Sequence, residues 1–429
     1  MNRITTFVLT LWALVATTVR GADEFELPPI EYSASTPDNR VSRLQTAIER
    51  GETSLQAEAR FGYLAGLLKQ LDISPETQML VFSKTSMQTQ RISPRTPRAI
   101  YFNDDTYVGY CHGGKVMEVA VADPQLGAVF YTLDQRSEAA PTPVRETHKC
   151  LQCHGTVQNE EIPALVVRSL FVDGAGMPLL SEGSHHVDHT TPLKDRWGGW
   201  YATGTHGDQT HLGNLIIRNR DAPRPWKNDE GQNVTDLTER FTTSNYLTPH
   251  SDIVALMVFE HQALVHNLIT QANFAARRAL HYEADLNQAM GEPVDNRLES
   301  TTRRIKNAGD KLVRGLFLVD ETVLTGPIVG TSGFAKQFAE SGPHDGKGRS
   351  LRELDLTTRL FKYPCSFLIY SAAFDGLPDA MQDYLATRIK EVLAGMGGAE
   401  FYRLSATDRQ AISEILQETK PDFWNRAVP

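Results

Sequence analysis

After a polar, proline-marked lead from Leu27-Pro28-Pro29 to Pro37, the apolar positions settle into a helical rhythm. Val41, Leu44, Ala47 and Ile48 recur at helical spacing, followed by Leu55, Ala57, Phe61, Leu64, Leu67, Leu68 and Leu71, until Pro75 closes the region. The period then shortens. Met79 to Phe82 reads as a strand. Ala99 to Phe102 and Thr106 to Tyr110, joined by Asn103-Asp104-Asp105, read as a hairpin, and Val116 to Ala122 with Ala128 to Leu133 as another. Met79 to Leu133 is therefore expected to be an antiparallel sheet flanked by the preceding helices. Ser137 to Glu146, with Pro141 and Pro143, is expected to be loop, and Ala164 to Val172 a strand turned by Asp173-Gly174.

Asp221 to Asn245 is polar and predicts a surface connection. From Ser251 or Asp252, either able to cap a helix, apolar positions run Ile253, Val254, Leu256, Met257, Leu264, Val265, Leu268, Ile269 and Ala272. A second helix from about Leu298 to Leu318 is expected to return antiparallel. Thr325 to Arg349 reads as plain loop, because Gly330-Thr331-Ser332-Gly333 lacks the lysine of a phosphate loop. The chain is expected to finish with helices over Leu356 to Phe374 and Ala380 to Leu393, then one capped at Ser405 with Asp408 three positions on. The expected class is α+β, with N-terminal helices and an antiparallel sheet over 22–145, a loop-and-strand segment over 146–245, and a helical half over 246–429.

Composition narrows the field. Across 429 residues, 22% charged and 41% hydrophobic side chains describe a globular chain. A net charge of −9 offers no basic surface for nucleic acid or anionic lipid. Residues 1–21 read as a signal peptide, with Arg3, an apolar run from Phe7 to Val15, and a cleavage point near Gly21 or Ala22. Arg20 beside that point is unusual, which leaves uncleaved anchoring as the alternative. No later stretch reads as a membrane span.

The chemistry lies in Cys150-Leu151-Gln152-Cys153-His154. Two thiols three positions apart followed by an imidazole meet the requirement for covalent attachment of one c-type haem: Cys150 and Cys153 for thioethers, His154 as proximal iron ligand. Two other uses of the motif stay open. One is a thioredoxin-like pair, which lacks its βαβ context here. The other is half a zinc site completed by His148, Cys111 or Cys365. Cys111 and Cys365 are also able to pair as a disulfide in an oxidising compartment. There is no second such motif.

The motif resembles the attachment signature of c-type cytochromes, although a sheet and a proline loop precede it where the small cytochromes have a helix. Ser93-Pro94-Arg95 to Tyr110, Arg196 to His206 and Tyr363 to Pro378 are similar to large exported bacterial cytochrome c domain proteins. That resemblance spans most of the chain and implies no established reaction. A second axial ligand is sought among the histidines between Gly183 and His211, which are interleaved with glycine and aromatic residues. His189 and His206 flank Arg196 to Tyr201 and are the first candidates, with Met177 as competitor. His185 and His189 raise a separate metal site, which Gly183 and Pro192 argue against by breaking a helix. His261 is expected to be a hydrogen-bonded core residue. Two functions follow: electron transfer through the haem to a redox partner protein, or a peroxidase-like or small-molecule oxidoreductase. The latter needs an open distal site, with Arg196, His189 and His206 as acid–base groups. A third view makes the helical half a docking module for that partner.

Overall fold

A computed structural model describes residues 24–136, 141–156 and 160–426. The expected signal peptide lies outside the described residues. The fold is α+β, as its periodicities require. The short-period region forms strands β1 (Met79–Val81), β2 (Arg98–Phe102), β3 (Thr106–Cys111), β4 (Val116–Asp123), β5 (Gly127–Asp134) and β6 (Val144–Arg145). Strands β7 (Arg168–Leu170) and β8 (Ser184–His186) make a separate hairpin. Strand β9 (Trp200–Tyr201) pairs with β1, so the sheet runs β6-β5-β4-β3-β2-β1-β9, antiparallel throughout. A strand from the 146–245 segment thus closes the sheet of the N-terminal region.

Side-chain alternation divides the sheet into two faces. Leu80, Phe82, Ala99, Tyr101, Val108, Val119, Val121 and Tyr131 pack with the N-terminal helices α1 (Arg40–Glu49) and α2 (Leu64–Gln70). Asn39 caps α1 by accepting from the Val41 and Ser42 amides. The helix expected from Leu55 begins only at Leu64. Gly51 and Gly62, both in the left-handed region (φ 71° and 58°), turn the chain between the two helices. Residues α3 (Leu151–His154) form one helical turn.

The opposite face, carrying Met79, Val81, Ile100, Phe102 and Tyr107, packs against the helical half. Its axis is α4 (Ile253–Met290), capped by Asp252 and ended by Gly291 at φ 73°. Here the sequence reading needs correction: α4 is long and apolar enough to cross a membrane, yet 83% of its apolar stretch is buried within the chain. Its first half is buried nearly all round, between the sheet on one side and other parts of the helical half on the rest. Helix α5 (Glu299–Leu316) returns along it as expected; Gly315 permits the approach, since a side chain there would collide with Leu268.

The stretch read as loop from Thr325 contains β11 (Val329–Gly330), paired with β10 (Gly204–Thr205), and α6 (Phe334–Glu340). Leu356 to Phe374 is not the expected helix. Pro364 interrupts it, and Ser366 and Ser371 cap a 3-10 turn (Phe367–Tyr370) and the short α7 (Ala372–Asp375). The apolar spacing there reflects a segment threaded through the core. Helices α8 (Asp379–Leu393), α9 (Ala406–Thr419) and α10 (Pro421–Trp424) finish the chain, and Ser405 with Asp408 forms the expected capping box.

Candidate haem site

The α3 turn is closed by His154 N donating to Cys150 O at 3.0 Å and Gly155 N to Leu151 O at 2.8 Å. One helical turn puts residues three apart on the same side, so Cys150 and Cys153 share a side. Neither forms a disulfide; Cys153 is exposed and Cys150 half-buried. Burial, with Glu146 and Glu118 nearby, pushes the Cys150 thiol up to about 11.

His154 is fixed on two sides. Its ring packs against Phe130 at 4.7 Å between centroids, and its Nδ1 stands 2.8 Å from the Ala164 carbonyl oxygen. A carbonyl only accepts, so Nδ1 carries the proton and Nε2 keeps its lone pair. Burial lowers the imidazole pKa, which the Ala164 contact opposes, and the ring is neutral. Ala164 is held in turn: its amide donates to His154 O at 2.9 Å, and the next residue, Leu165, makes paired 2.8 Å bonds with Asn267 of α4. This is the outer support that orients a metal-binding histidine.

The adjoining floor comes from the part of the same sheet face beyond Phe102 and Tyr107. Helix α4 lies over Phe102 and Tyr107, with Phe259 against both rings. Farther along the same face stand Arg98, Gly109, Glu118 and Thr132, with Glu118 directly opposite Thr132. Arg98 Nη2 pairs with Glu118 Oε2 at 2.9 Å. Gly109 leaves room for it, because a Cβ there would collide with the Arg98 guanidinium. Arg98 Nε is buried without a partner among the described residues.

The histidines favoured by the sequence lie elsewhere. His189 Nδ1 meets His261 Nδ1 at 3.0 Å, and His261 Nε2 meets Ser366 Oγ at 2.8 Å, all three residues buried. His189 also hydrogen-bonds the Val319 carbonyl. That carbonyl fixes His189 as donor, so His189 accepts from His261, which accepts from Ser366. Burial holds both imidazoles well below their usual pKa. His261 is therefore the hydrogen-bonded core residue expected. Arg196 is committed as well, to Glu260 through Nη1, to His189 O through Nη2 at 3.0 Å, and to Thr191 O through Nε at 2.7 Å. Burial pushes the Glu260 carboxyl up, while Arg196 and Trp197 Nε1 (3.2 Å) pull it back.

His206 is fully buried, and its Nε2 accepts from the Asn233 amide at 3.0 Å. It sits by β10 at the start of α4, whereas Asn267, beside the His154 support, is ~20 Å farther along the helix axis at about 1.5 Å per residue. His185 is exposed on β8 while His189 is buried, so the two do not form a helical metal pair. Met177 is 49% exposed, in a turn held by Asp173. Cys111 and Cys365 are both buried free thiols, pushed to about 12 by burial. Among the described residues, no three His, Cys, Asp or Glu side chains converge to hold a metal ion, which leaves the zinc alternative without a ligand set. Two cavities, of about 530 Å³ beside Arg95 and Arg240 and about 260 Å³ beside Glu321 and Arg403, lie apart from the motif.

These residues fit a covalently held haem. The Cys150 and Cys153 thiols share one side of α3, a neutral imidazole keeps an unshared nitrogen, and Arg98 Nε is buried without an acceptor among the described residues. The Arg98–Glu118 pair and the Glu260–Arg196 pair were missed from sequence, although a lone carboxylate within the apolar run Ile253 to Val265 was a signal for the second. Compared with family models, with curated proteins and with solved structures, the chain matches none.

Proposed function

We propose that this chain is an exported c-type cytochrome that carries electrons to or from a redox partner protein, with one haem c bound through Cys150, Cys153 and His154. The observation that carries the reading is the His154 Nδ1 contact with Ala164 O at 2.8 Å, which leaves the other ring nitrogen of His154 with its lone pair on the same turn as Cys150 and Cys153. When bound, the haem iron supplies a one-electron couple. The chain's own part is to hold the proximal nitrogen in one position, through Phe130, Ala164 and Asn267, so that little geometry changes with oxidation state. Arg98 supplies a positive charge beside Glu118 on the adjoining floor. The oxidoreductase alternative asks for distal groups that move protons. His189 and Arg196 have their hydrogen-bonding nitrogens engaged inside the core, which favours the carrier.

Because thioethers survive denaturation, haem is expected to stay with periplasmic protein through acid–acetone extraction. The double variant Cys150→Ala/Cys153→Ala is expected to lose all retained haem, and expression without residues 1–21 to give apoprotein. Haem that extracts freely from the unmutated protein overturns the reading.

A further inference from the structure

We infer that the cavity of about 260 Å³ beside Glu321 and Arg403 binds a free α-amino acid with an apolar side chain, its ammonium group on Glu321 and its carboxylate on Arg403. The site is independent of the haem motif.

The cavity lies between the end of α5 and the segment that leads into α9. It is just below the ~300–1,000 Å³ of drug-sized ligand sites, so it takes a small molecule. Phe317, Leu318, Phe401 and Leu404 line it and are all buried, and the Phe317 and Phe401 rings meet edge-on at 5.9 Å.

Most of the charged side chains at the cavity are spent. Arg359 pairs with Asp408 at 2.8 Å, Asp320 with Arg314 at 2.8 Å, and Glu400 with the same Arg314. Two are left over. Glu321 is 8% exposed, and its Oε1 accepts from the Leu360 amide at 2.7 Å, yet among the described residues no cation pairs with its carboxylate. Arg403 donates through Nη1 to the Glu321 main-chain carbonyl and through Nε to Tyr402 Oη at 3.2 Å. Its Nη2 has no acceptor, and its guanidinium no carboxylate, among the described residues.

A buried carboxylate without a counter-ion is costly, and a neutral glutamine accepts from one amide equally well. The charge is therefore more than the fold requires. Arg403 holds the main chain of the residue whose carboxylate it leaves unpaired, so opposite charges stand one residue's length apart. An α-amino acid carries its two charges at comparable spacing, on groups attached to one carbon, and its side chain then lies along the apolar wall. A simple amine leaves Arg403 unanswered, and a simple acid leaves Glu321 so. Burial pushes the Glu321 carboxyl up to about 7, opposed by the Leu360 amide, Arg196, Arg359 and Arg403, while Asp320 and Glu400 at the same cavity face Arg314. An ammonium group pairs with the ionised form, so affinity falls as pH drops below about 7.

The test measures L-leucine binding to the full mature holoprotein by equilibrium dialysis. Isoamylamine serves as the analogue without the carboxylate, and isocaproate as the one without the ammonium group. Leucine is expected to bind once per chain, and each analogue at least about tenfold more weakly. Glu321→Gln keeps an acceptor for Leu360 and is expected to lose leucine affinity by a similar factor, together with its pH dependence. Arg403→Ala, at an exposed position, is expected to lose as much while keeping the pH dependence. Each variant is checked for a native circular dichroism spectrum; if Glu321→Gln does not fold, Arg403→Ala and the two analogues decide. Absence of leucine binding at millimolar concentration overturns the inference. Unchanged leucine affinity in either folded variant does so too, as does either analogue binding as tightly as leucine.

Discussion

At the scale of single residues, environment decides what each polar group does. His154 and His189 are the same side chain, yet one donates to a carbonyl through Nδ1 and keeps the Nε2 lone pair, while the other spends both nitrogens in a chain of donors and acceptors. Glu260 shows the cost of burying charge. Its carboxylate is fully buried against Arg196 and Trp197 Nε1. Removing one partner of such a pair leaves the other charge uncompensated, typically at about 3–5 kcal/mol. Glu260→Leu is therefore expected to lower unfolding free energy by about that amount in urea titrations. A loss near that of a surface substitution would refute the assignment of Arg196 as a charge held by Glu260.

Among the elements, α4 organises both halves of the molecule. Its first turn is fixed by Asp252, which accepts from the Val254 and Ala255 amides at 2.8 and 3.1 Å. The same carboxylate accepts from Ser332 N at 2.8 Å and Ser332 Oγ at 3.0 Å, so it also ties down the segment after β11. A helix cap alone is worth ~1 kcal/mol, and a buried donor left without a partner adds about 1–3 kcal/mol. Asp252→Ala is thus expected to cost more than an ordinary cap, roughly 2–4 kcal/mol by chemical denaturation. Asp252→Asn keeps an acceptor and is expected to recover part of it. Equal losses in the two variants would show that the charge, not the capping oxygen, matters.

For the whole molecule, the sheet is a shared middle layer, with α1 and α2 on one face and α4 with its companions on the other. The α3 turn sits against this sheet through the contact of His154 with Phe130. Stability of such a chain depends on pH through its buried imidazoles. His211 is buried against Trp197 and His206, and burial, with His206 next, holds its pKa at about 3. That lies below the unfolded value of about 6.5, so the unfolded state binds more protons between the two values. The contribution is fully present above about pH 6.5 and is lost as pH falls toward 3, at about 1.4 kcal/mol per pH unit. His211→Phe keeps a ring in place and removes the proton site. It is expected to flatten the fall in unfolding free energy over this window, and a slope equal to that of the unmutated protein would contradict the burial assignment.

The sequence by itself determined the α+β class, the two hairpins between Ala99 and Leu133, α4 with Asp252 as its cap, and the Ser405–Asp408 box. These rest on contacts between neighbours along the chain, which leave a period or a spacing to read. The motif at Cys150 to His154 was legible for the same reason. Only the tertiary structure decided that His189 and His206 are spent in the core, that Leu356 to Phe374 is threaded rather than helical, and that β9 closes a distant sheet. It alone brought Ser86 and Gln88 to Glu118. Which acceptor occupies an imidazole, or which loop meets which strand, depends on residues far apart in the chain, and spacing carries no record of those meetings.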